Sequence, residues 1–442
     1  MSKTSLLVFG LAFTSLVSAV GGQDFLDHDF LVEINAPVNA AIELANGQIL
    51  IGGVFNSING FVRRDALARL NHDGTLDRTF DPVSEGLGVS AILPQADGSI
   101  LLVRPTKLEL LTGTGEKDAS FTSPNFPSFP GFQFLSTAMK QADGKILIGG
   151  YFTQIAGKQI AGIARLNADG SIDDSFAQIG FNTSSSPRVG TILVQPDGLI
   201  VVGGTFDTFG GTARPGLLRL DSSGNLDIRF NLGGHSPSSI RTMRFDADGS
   251  ILASSNPLGR VSRFTSLGIL DASLSCSVNN SVSSIVPMDG KIFIGGNFTE
   301  ANGASRLFLA RINPDGSLDA DFATAVGDAQ IGQTTIASIF PQANGDLLIA
   351  GTFISVDREP RFNLARLKRI PSAPAPVLGI KQVPSITLGG TAGASYRIDY
   401  STNLTSSPWF PLTNIVLSSS PFSYVDASAN GERRFYRAIA NP

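Results

Sequence analysis

The segment Asp289 to Phe322, DGKIFIGGNFTEANGASRLFLARINPDGSLDADF, carries its own strand and turn punctuation and recurs along most of the chain. Asp289-Gly290 separates two apolar runs, Val282 to Met288 and Lys291 to Phe298. An Asp-Gly pair in that position predicts a tight hairpin, because glycine accepts positive φ without a Cβ clash. A polar stretch leads to a third run, Leu307 to Ile312, then the turn Asn313-Pro314-Asp315-Gly316 and a fourth, Leu318 to Phe322. The unit reads as a four-stranded antiparallel meander.

The glycine of the first turn serves as a ruler and finds seven copies, at Gly47, Gly98, Gly144, Gly198, Gly249, Gly290 and Gly345. Their spacing is about 50 residues, a period that fits propeller blades better than solenoid coils. The second strands, ILIGGVF (Ile49 to Phe55), ILIGGYF (Ile146 to Phe152), IVVGGTF (Ile200 to Phe206), IFIGGNF (Ile292 to Phe298) and LLIAGTF (Leu347 to Phe353), are apolar on both faces. That is the pattern of sheets packed between two neighbours. The paired glycines are expected to let adjacent sheets approach closely.

Repeats should end in LDxxF, as at Leu76 to Phe80, Ile172 to Phe176, Leu226 to Phe230 and Leu318 to Phe322, with variants at Lys117 to Phe121 and Leu270 to Leu274. The seventh repeat stops at Leu367 without one, whereas Leu26-Asp27-His28-Asp29-Phe30 supplies one with no preceding strands. The expectation is an all-β, seven-bladed β-propeller over residues 20–369, with four-stranded blades and the N-terminal strand closing the last. Closure of this kind removes an exposed edge.

Residues 1–19 have Lys3, an apolar core of about a dozen residues and small residues at Val17-Ser18-Ala19, which reads as a cleaved secretory signal. A spanning helix needs roughly 20 apolar residues, and no later segment is long enough. The chain of 442 residues has a formal charge of −4 and no basic stripe, which speaks against nucleic acid as a partner. With one cysteine, Cys276, no intramolecular disulfide forms, and this thiol is expected to be a buried apolar filler. The chain is expected to be a monomer.

Repeats one, three, four, six and seven resemble the delta-60 repeat family of exported bacterial proteins, most clearly in DGKILIGGYF (Asp143 to Phe152) and IARLNADGSIDDSF (Ile163 to Phe176). The resemblance implies a propeller-like repeat domain in a secreted or surface-associated protein. It assigns no residue to catalysis.

Repeats two and five depart from the pattern. The ruler glycine precedes the closing aromatic by about 32 residues in most repeats, but by about 23 before Phe121 and about 25 before Leu274. The loop between strands two and three is therefore short, and Val103-Arg104 and Ser254-Ser255 replace the glycine pair. This suggests either a trough across the loop face, with Arg104, Lys107 and Arg260 as ligand-binding candidates, or neutral loss in two degenerate repeats.

Other recurrent residues point to structure. Arg69, Arg165, Arg219, Arg263, Arg311 and Arg366 in strand three, with Asp27, Asp77, Asp118, Asp173, Asp227, Asp271 and Asp319 in strand four, predict a charge-assisted contact repeated in each blade. Gln95, Gln141, Gln195 and Gln342, with Asp246 in repeat five, end strand one and would form a polar ring if that strand lines a channel. The [ND]xxGxxD segments, such as Asn71 to Asp77, superficially suggest calcium but lack the oxygen count and the terminal bidentate Glu. No cofactor is expected. His28, His72 and His235 lack metal-ligand spacing, and no GxSxG elbow or phosphate loop is present.

After a Pro/Ala linker at residues 370–377, residues 378–442 read as a small β-sandwich similar to fibronectin-type III modules. Tyr396, Tyr400, Trp409, Phe410 and Tyr436 supply either its core or an exposed sugar-stacking platform. Two functions remain open. One is an extracellular binding or scaffold protein for a carbohydrate or protein partner. The other is a carbohydrate-active or lactone-hydrolysing enzyme with acids at the channel mouth.

Overall fold

The computed structural model describes residues 24–60, 62–82, 88–126, 134–177, 180–182, 187–237, 239–255, 259–327, 334–369, 377–381, 385–402, 408–426 and 434–441. The expected signal segment and nearly all of the Pro/Ala linker lie outside them. The chain divides into two compact units, one ending at Lys368 and the other beginning at Arg369. Every regular element among the described residues is a β-strand.

In the first unit each ruler glycine sits at positive φ, between 71° and 89°, at the turn joining the first two strands of a sheet. The sheets begin with Val38–Glu43, Ala91–Pro94, Phe134–Lys140, Arg188–Val194, Ile240–Phe245, Val282–Met288 and Thr335–Pro341, and each runs in chain order from its first strand to its third. Successive first strands pack side by side through the series, and Thr335–Pro341 packs against Val38–Glu43. The second strands, such as Ile49–Gly53 and Ile200–Thr205, are buried almost throughout, as their two-sided apolar pattern requires.

The expected four-stranded sheet is found once, in the fifth, where Leu270–Ser277 pairs with Arg260–Phe264. Elsewhere the fourth strand is a single bridge, as at Leu70 with Leu76, Leu166 with Ile172, and Ile312 with Leu318. The aspartate that follows makes a turn. Asp77 N–H donates to Arg69 O at 2.9 Å, and the Asp77 carboxylate then accepts the Thr79 N–H at 2.9 Å. That Asx turn bends the chain off the sheet edge. In the fifth sheet Asp271 makes the same turn with the Ser273 N–H at 2.9 Å, and the strand resumes after a register shift.

The N-terminal segment closes the seventh sheet. Leu26 bridges Leu367, Asp27 N–H donates to Arg366 O at 2.9 Å, and Lys368 N–H donates to Phe25 O at 2.7 Å. Asp27 is 1 % exposed and pairs with Arg366 at 2.6 Å and Lys368 at 3.0 Å.

The glycine pairs serve two different ends. A Cβ on Gly149 would lie 2.6 Å from Val189 of the fourth sheet, so this glycine does set the spacing between sheets. A Cβ on Gly150 would lie 2.2 Å from Phe134 O of its own sheet, where the register shifts by a bulge. The second glycine thus accommodates a bulged first strand. The second sheet, with Val103 and Arg104 in these places, pairs without a register shift.

The long loops between strands two and three also have a structural role. Each forms a small hairpin or turn that pairs with the incoming chain: Ile58 with Ile34, Ala156 N–H with Asn125 O, Phe209 with Phe181, Ala301 with Val278, and Val356 with Val326. The second and fifth sheets have only a short connection here.

The second unit has two three-stranded antiparallel sheets. One pairs Val377–Lys381, Ser385–Gly389 and Phe422–Val425, and the other Phe410–Val416, Ser395–Ser401 and Phe435–Ala440. Ile386, Leu388, Tyr396, Ile398, Ile415 and Leu417 form one buried cluster. The aromatics divide: Tyr396 is core, while Phe410 is exposed, with Tyr400 beside it at 5.7 Å. Arg434 covers Tyr400, and Arg437 covers Trp409.

Asp27→Ala leaves Arg366 buried without its carboxylate and is expected to cost about 3–5 kcal/mol, against under about 0.5 kcal/mol for the exposed Asp29→Ala. Equilibrium denaturation of the two variants measures the contrast. In the same assay Gly150→Ala should destabilise more than Gly149→Ala, because backbone rather than side-chain tips must yield.

Candidate functional site

The recurrent arginines and aspartates do meet. Arg69 pairs with Asp77 at 2.7 Å, Arg165 with Asp173 at 2.6 Å, Arg219 with Asp227 at 2.8 Å, Arg311 with Asp319 at 2.8 Å, and Arg263 more loosely with Asp271 at 3.5 Å. The closing phenylalanine lies under the guanidinium, as at Phe80 (4.6 Å), Phe176 (4.8 Å), Phe230 (5.3 Å) and Phe30 (4.5 Å). The same arginine reaches the following sheet: Arg69 donates to Gly113 O at 2.8 Å, and Arg366 to His72 O of the first sheet at 2.5 Å. Each phenylalanine also packs on a turn glycine of that next sheet, Phe80 on Gly115 and Phe30 on Gly74. These are joints between sheets, and their carboxylates are committed to arginine and hydroxyl partners.

Sequence-predicted site residues are dispersed. Arg104 faces inward at 1 % exposure and pairs with Glu109 at 2.7 Å. Lys107 and Lys117 approach the same carboxylate at 3.4 and 3.3 Å, so the second sheet has moved its charge cluster inside. Arg260 is exposed at the start of its strand.

The glutamines do not bond to one another. Gln95 donates to Leu93 O at 2.6 Å, Gln195 accepts from Arg219 at 3.2 Å, and Gln342 donates to Glu43 at 3.0 Å. Gln141 is half-buried at the same turn position, and Asp246 pairs with Arg263 at 3.4 Å. Cys276 is buried, and burial pushes its thiol up to about 11, which makes it unreactive. Among the described residues no cluster of His, Cys, Asp and Glu has the makings of a metal site.

Among the described residues two concavities stand out. A cleft of about 700 Å³ lies beside the shortened second sheet, between Ser120–Asn125 and the outer edge of the third. Its walls include Thr122, Ser123, Asn125, Lys158, Asp169 and Ser171, and Lys158 is held by Asp174. Thr122 N–H on Asp169 O at 2.8 Å and Ala156 N–H on Asn125 O at 2.8 Å fix its two ends.

The second concavity, about 160 Å³, lies where the first strands of sheets four and five begin, and is bounded by Arg188, Thr205, Ser239 and Arg241. Arg188 is bonded through Nε to Ser136 Oγ at 3.3 Å and lies over the Phe134 ring at 4.8 Å. Arg241 is bonded through Nε to Ser283 Oγ at 3.2 Å. Burial, then repulsion from Arg241, lowers the Arg188 pKa below its ordinary value. Further along the same strand Arg244 reaches solvent yet is walled in, and burial lowers its pKa as well.

Sequence reasoning missed these three arginines, although one signal was present. Opposite the second strand Arg244 pairs with Leu252, a register position where the other sheets place Ile42, Leu93, Met139, Leu193, Val286 and Phe340.

Together these features define an all-β protein of β-propeller type. Five segments, residues 44–80, 141–176, 195–230, 289–322 and 342–369, match the family described as "Domain of unknown function (DUF5122) beta-propeller". They fall in the same five repeats that share the glycine-pair motif and its LLIAGTF variant. No curated protein sequence matches the chain.

Among solved structures the chain is similar to a catalytically inactive virginiamycin B lyase from Staphylococcus aureus with quinupristin. Identity is 14 %, with 79 % of this chain and 99 % of that one covered, at a TM-score of 0.50. It is also similar to an extracellular domain from B. thetaiotaomicron (11 % identity, 92 % and 54 % covered, TM-score 0.46). A third is PorZ, a surface component of the type-IX secretion system of Porphyromonas gingivalis (14 %, 91 % and 59 %, 0.48). The chain spans little more than half of the last two. At these identities the likeness concerns fold alone. No helix among the described residues is long and apolar enough to cross a membrane.

The arginine joints generate a pH prediction. Burial pushes Asp77 up, but the Thr79 hydroxyl and Arg69 outweigh it and hold the carboxyl at about 2; Asp227, bonded first by Arg229 and also by Arg219, lies at about 2 as well. An unfolded carboxyl titrates near 3.9, so this stabilisation is complete above about pH 4 and lost as pH falls through about 2. Denaturation curves should give constant stability from about pH 7 to 5 and a fall between about pH 4 and 2. An Asp77→Asn, Asp227→Asn variant should be weaker at neutral pH and show a shallower acid limb.

Proposed function

We propose that this chain is an exported binding or scaffold protein whose loop face takes a carbohydrate or protein partner. In this reading residues 20–369 are a seven-bladed β-propeller closed by Leu26–Phe30, and residues 378–442 a small β-sandwich used for attachment or display. The cyclic packing of first strands and the bridge from Leu26 to Leu367 support the ring.

The observation that carries the binding reading is the cleft beside the second sheet. There the chain leaving the second sheet, Ser120–Asn125, faces the loop at Ala156 and Lys158 and the turn at Asp169–Ser171 of the third, and a cleft lined in part by hydroxyl, amide and carboxylate groups lies open between two sheets. Such a lining offers donors and acceptors at fixed spacing beside an apolar wall that includes Pro124 and Ile172, which suits a polyhydroxylated or peptide ligand. The joints described above make its walls rigid, which limits the entropy lost on binding.

A glycan array and capture of cell-surface proteins, both with the purified mature chain, test the reading. An Asn125→Ala, Lys158→Ala variant of unchanged melting temperature should lose at least about tenfold in affinity for whatever is retained. Retention unaffected by that change, or no retention at all, rejects the cleft. Turnover of a retained glycan or lactone would replace binding by catalysis.

A further inference from the structure

We infer that the pocket between Arg188 and Arg241 is an anion subsite that receives the carboxylate or sulfate of an acidic saccharide. The inference rests on the carbohydrate form of the reading above, but on a different place in the fold: the loop-face ends of the first strands of sheets four and five. Two guanidinium groups border one small cavity, and among the described residues neither forms an ion pair. The one charged group acting on Arg188 is the other arginine, Arg241.

Like charges are brought together at a cost that a bound anion removes. Serine hydroxyls of the flanking sheets bond both guanidinium groups through Nε, at 3.3 and 3.2 Å, which orients the planar forks. Forks of this shape accept oxyanions in bidentate fashion.

The volume, about 160 Å³, suits one oxyanion group and a few waters rather than a whole sugar. The hydroxyls of Thr205 and Ser239, hydrogen-bonded to each other at 2.8 Å, form the remaining polar wall. The rest of the ligand has a place to lie: Phe134, under Arg188, stands 5.8 Å from Tyr151, and both rings are half-buried. The two rings are tilted by 53° and Arg188 lies over Phe134, so they form an apolar edge beside the cations for the body of a sugar ring bearing an acid. Arg244, three residues beyond Arg241 on the same strand, adds a further positive charge to the first strand of sheet five.

The test uses the full mature chain in calorimetric titrations with trigalacturonate, its methyl ester and a sulfated disaccharide. Comparison is made with Arg188→Gln, Arg241→Gln and the double variant, and with Arg78→Gln as an exposed-arginine control in the first repeat. Stabilisation by inorganic sulfate against chloride at matched ionic strength is measured on the same proteins. The expected result is binding of the free acid or sulfate, at least about tenfold weaker for the ester and for each pocket variant, and unchanged for Arg78→Gln. Sulfate should raise the melting temperature of the wild type by more than that of the double variant, which removes its general salting effect from the comparison.

Equal binding of acid and ester, or full binding by the double variant, overturns the subsite while leaving the cleft reading intact. A sulfate effect lost in the double variant without binding of any saccharide overturns the saccharide assignment, and with it the carbohydrate form of the proposed function.

Discussion

A buried arginine in the third strand of most sheets does three things at once, and the arrangement of the first unit depends on it. It neutralises the aspartate that ends its own sheet, covers the phenylalanine three residues further on, and donates to a carbonyl of the next sheet. None of these contacts is strong alone. A buried ion pair roughly balances its own desolvation, and a cation over an aromatic ring contributes about 1–2 kcal/mol when desolvated. Their joint geometry fixes the angle between neighbouring sheets, and the turn glycine of the next sheet leaves the room in which the phenylalanine lies. A sheet that lacks the joint has to be held otherwise. The second sheet, with Leu110 in the arginine position, uses the inward Arg104–Glu109 pair.

This also explains why the repeated polar residues are not a repeated binding site. Asp77, Asp173, Asp227 and Asp319 look like a ladder of acids along the chain, but every one is satisfied by arginine, hydroxyl or backbone donors. Groups available to a ligand are those the repeat does not require. The two places proposed for ligands, the cleft between the second and third sheets and the arginine pair of the fourth and fifth, lie outside these joints.

Much of the first unit was legible because its signals are local. The ruler glycines announce turns that only positive φ satisfies, and the two-sided apolar second strands announce sheets with neighbours on both faces. The shrinkage of the fourth strand was not legible, because the aspartate turn that accompanies it at Asp77 also occurs at Asp271, in the sheet that keeps the strand. The role of the second glycine was hidden for a similar reason: a bulge in the first strand becomes visible only when partners are known. Arg104 was misplaced from sequence because a lone arginine in a short hairpin reads as exposed until Glu109 is seen opposite it. In the second unit the sequence left the aromatics open between core and exposed platform, and only the packing separates buried Tyr396 from exposed Phe410.

The pairing of Asp27 with Arg366 joins residues 339 positions apart. A polypeptide emerging from the ribosome or through a translocation channel presents its closing segment first and the groove for that segment last. Residues 25–30 must therefore wait, unpaired, until nearly the entire first unit has been delivered. Assembly ends in a long-range closure of high contact order, which is intrinsically slow. Any nascent chain halted before residue 367 is left with an open edge at each end, so length itself acts as the checkpoint between a half-made array and a finished molecule.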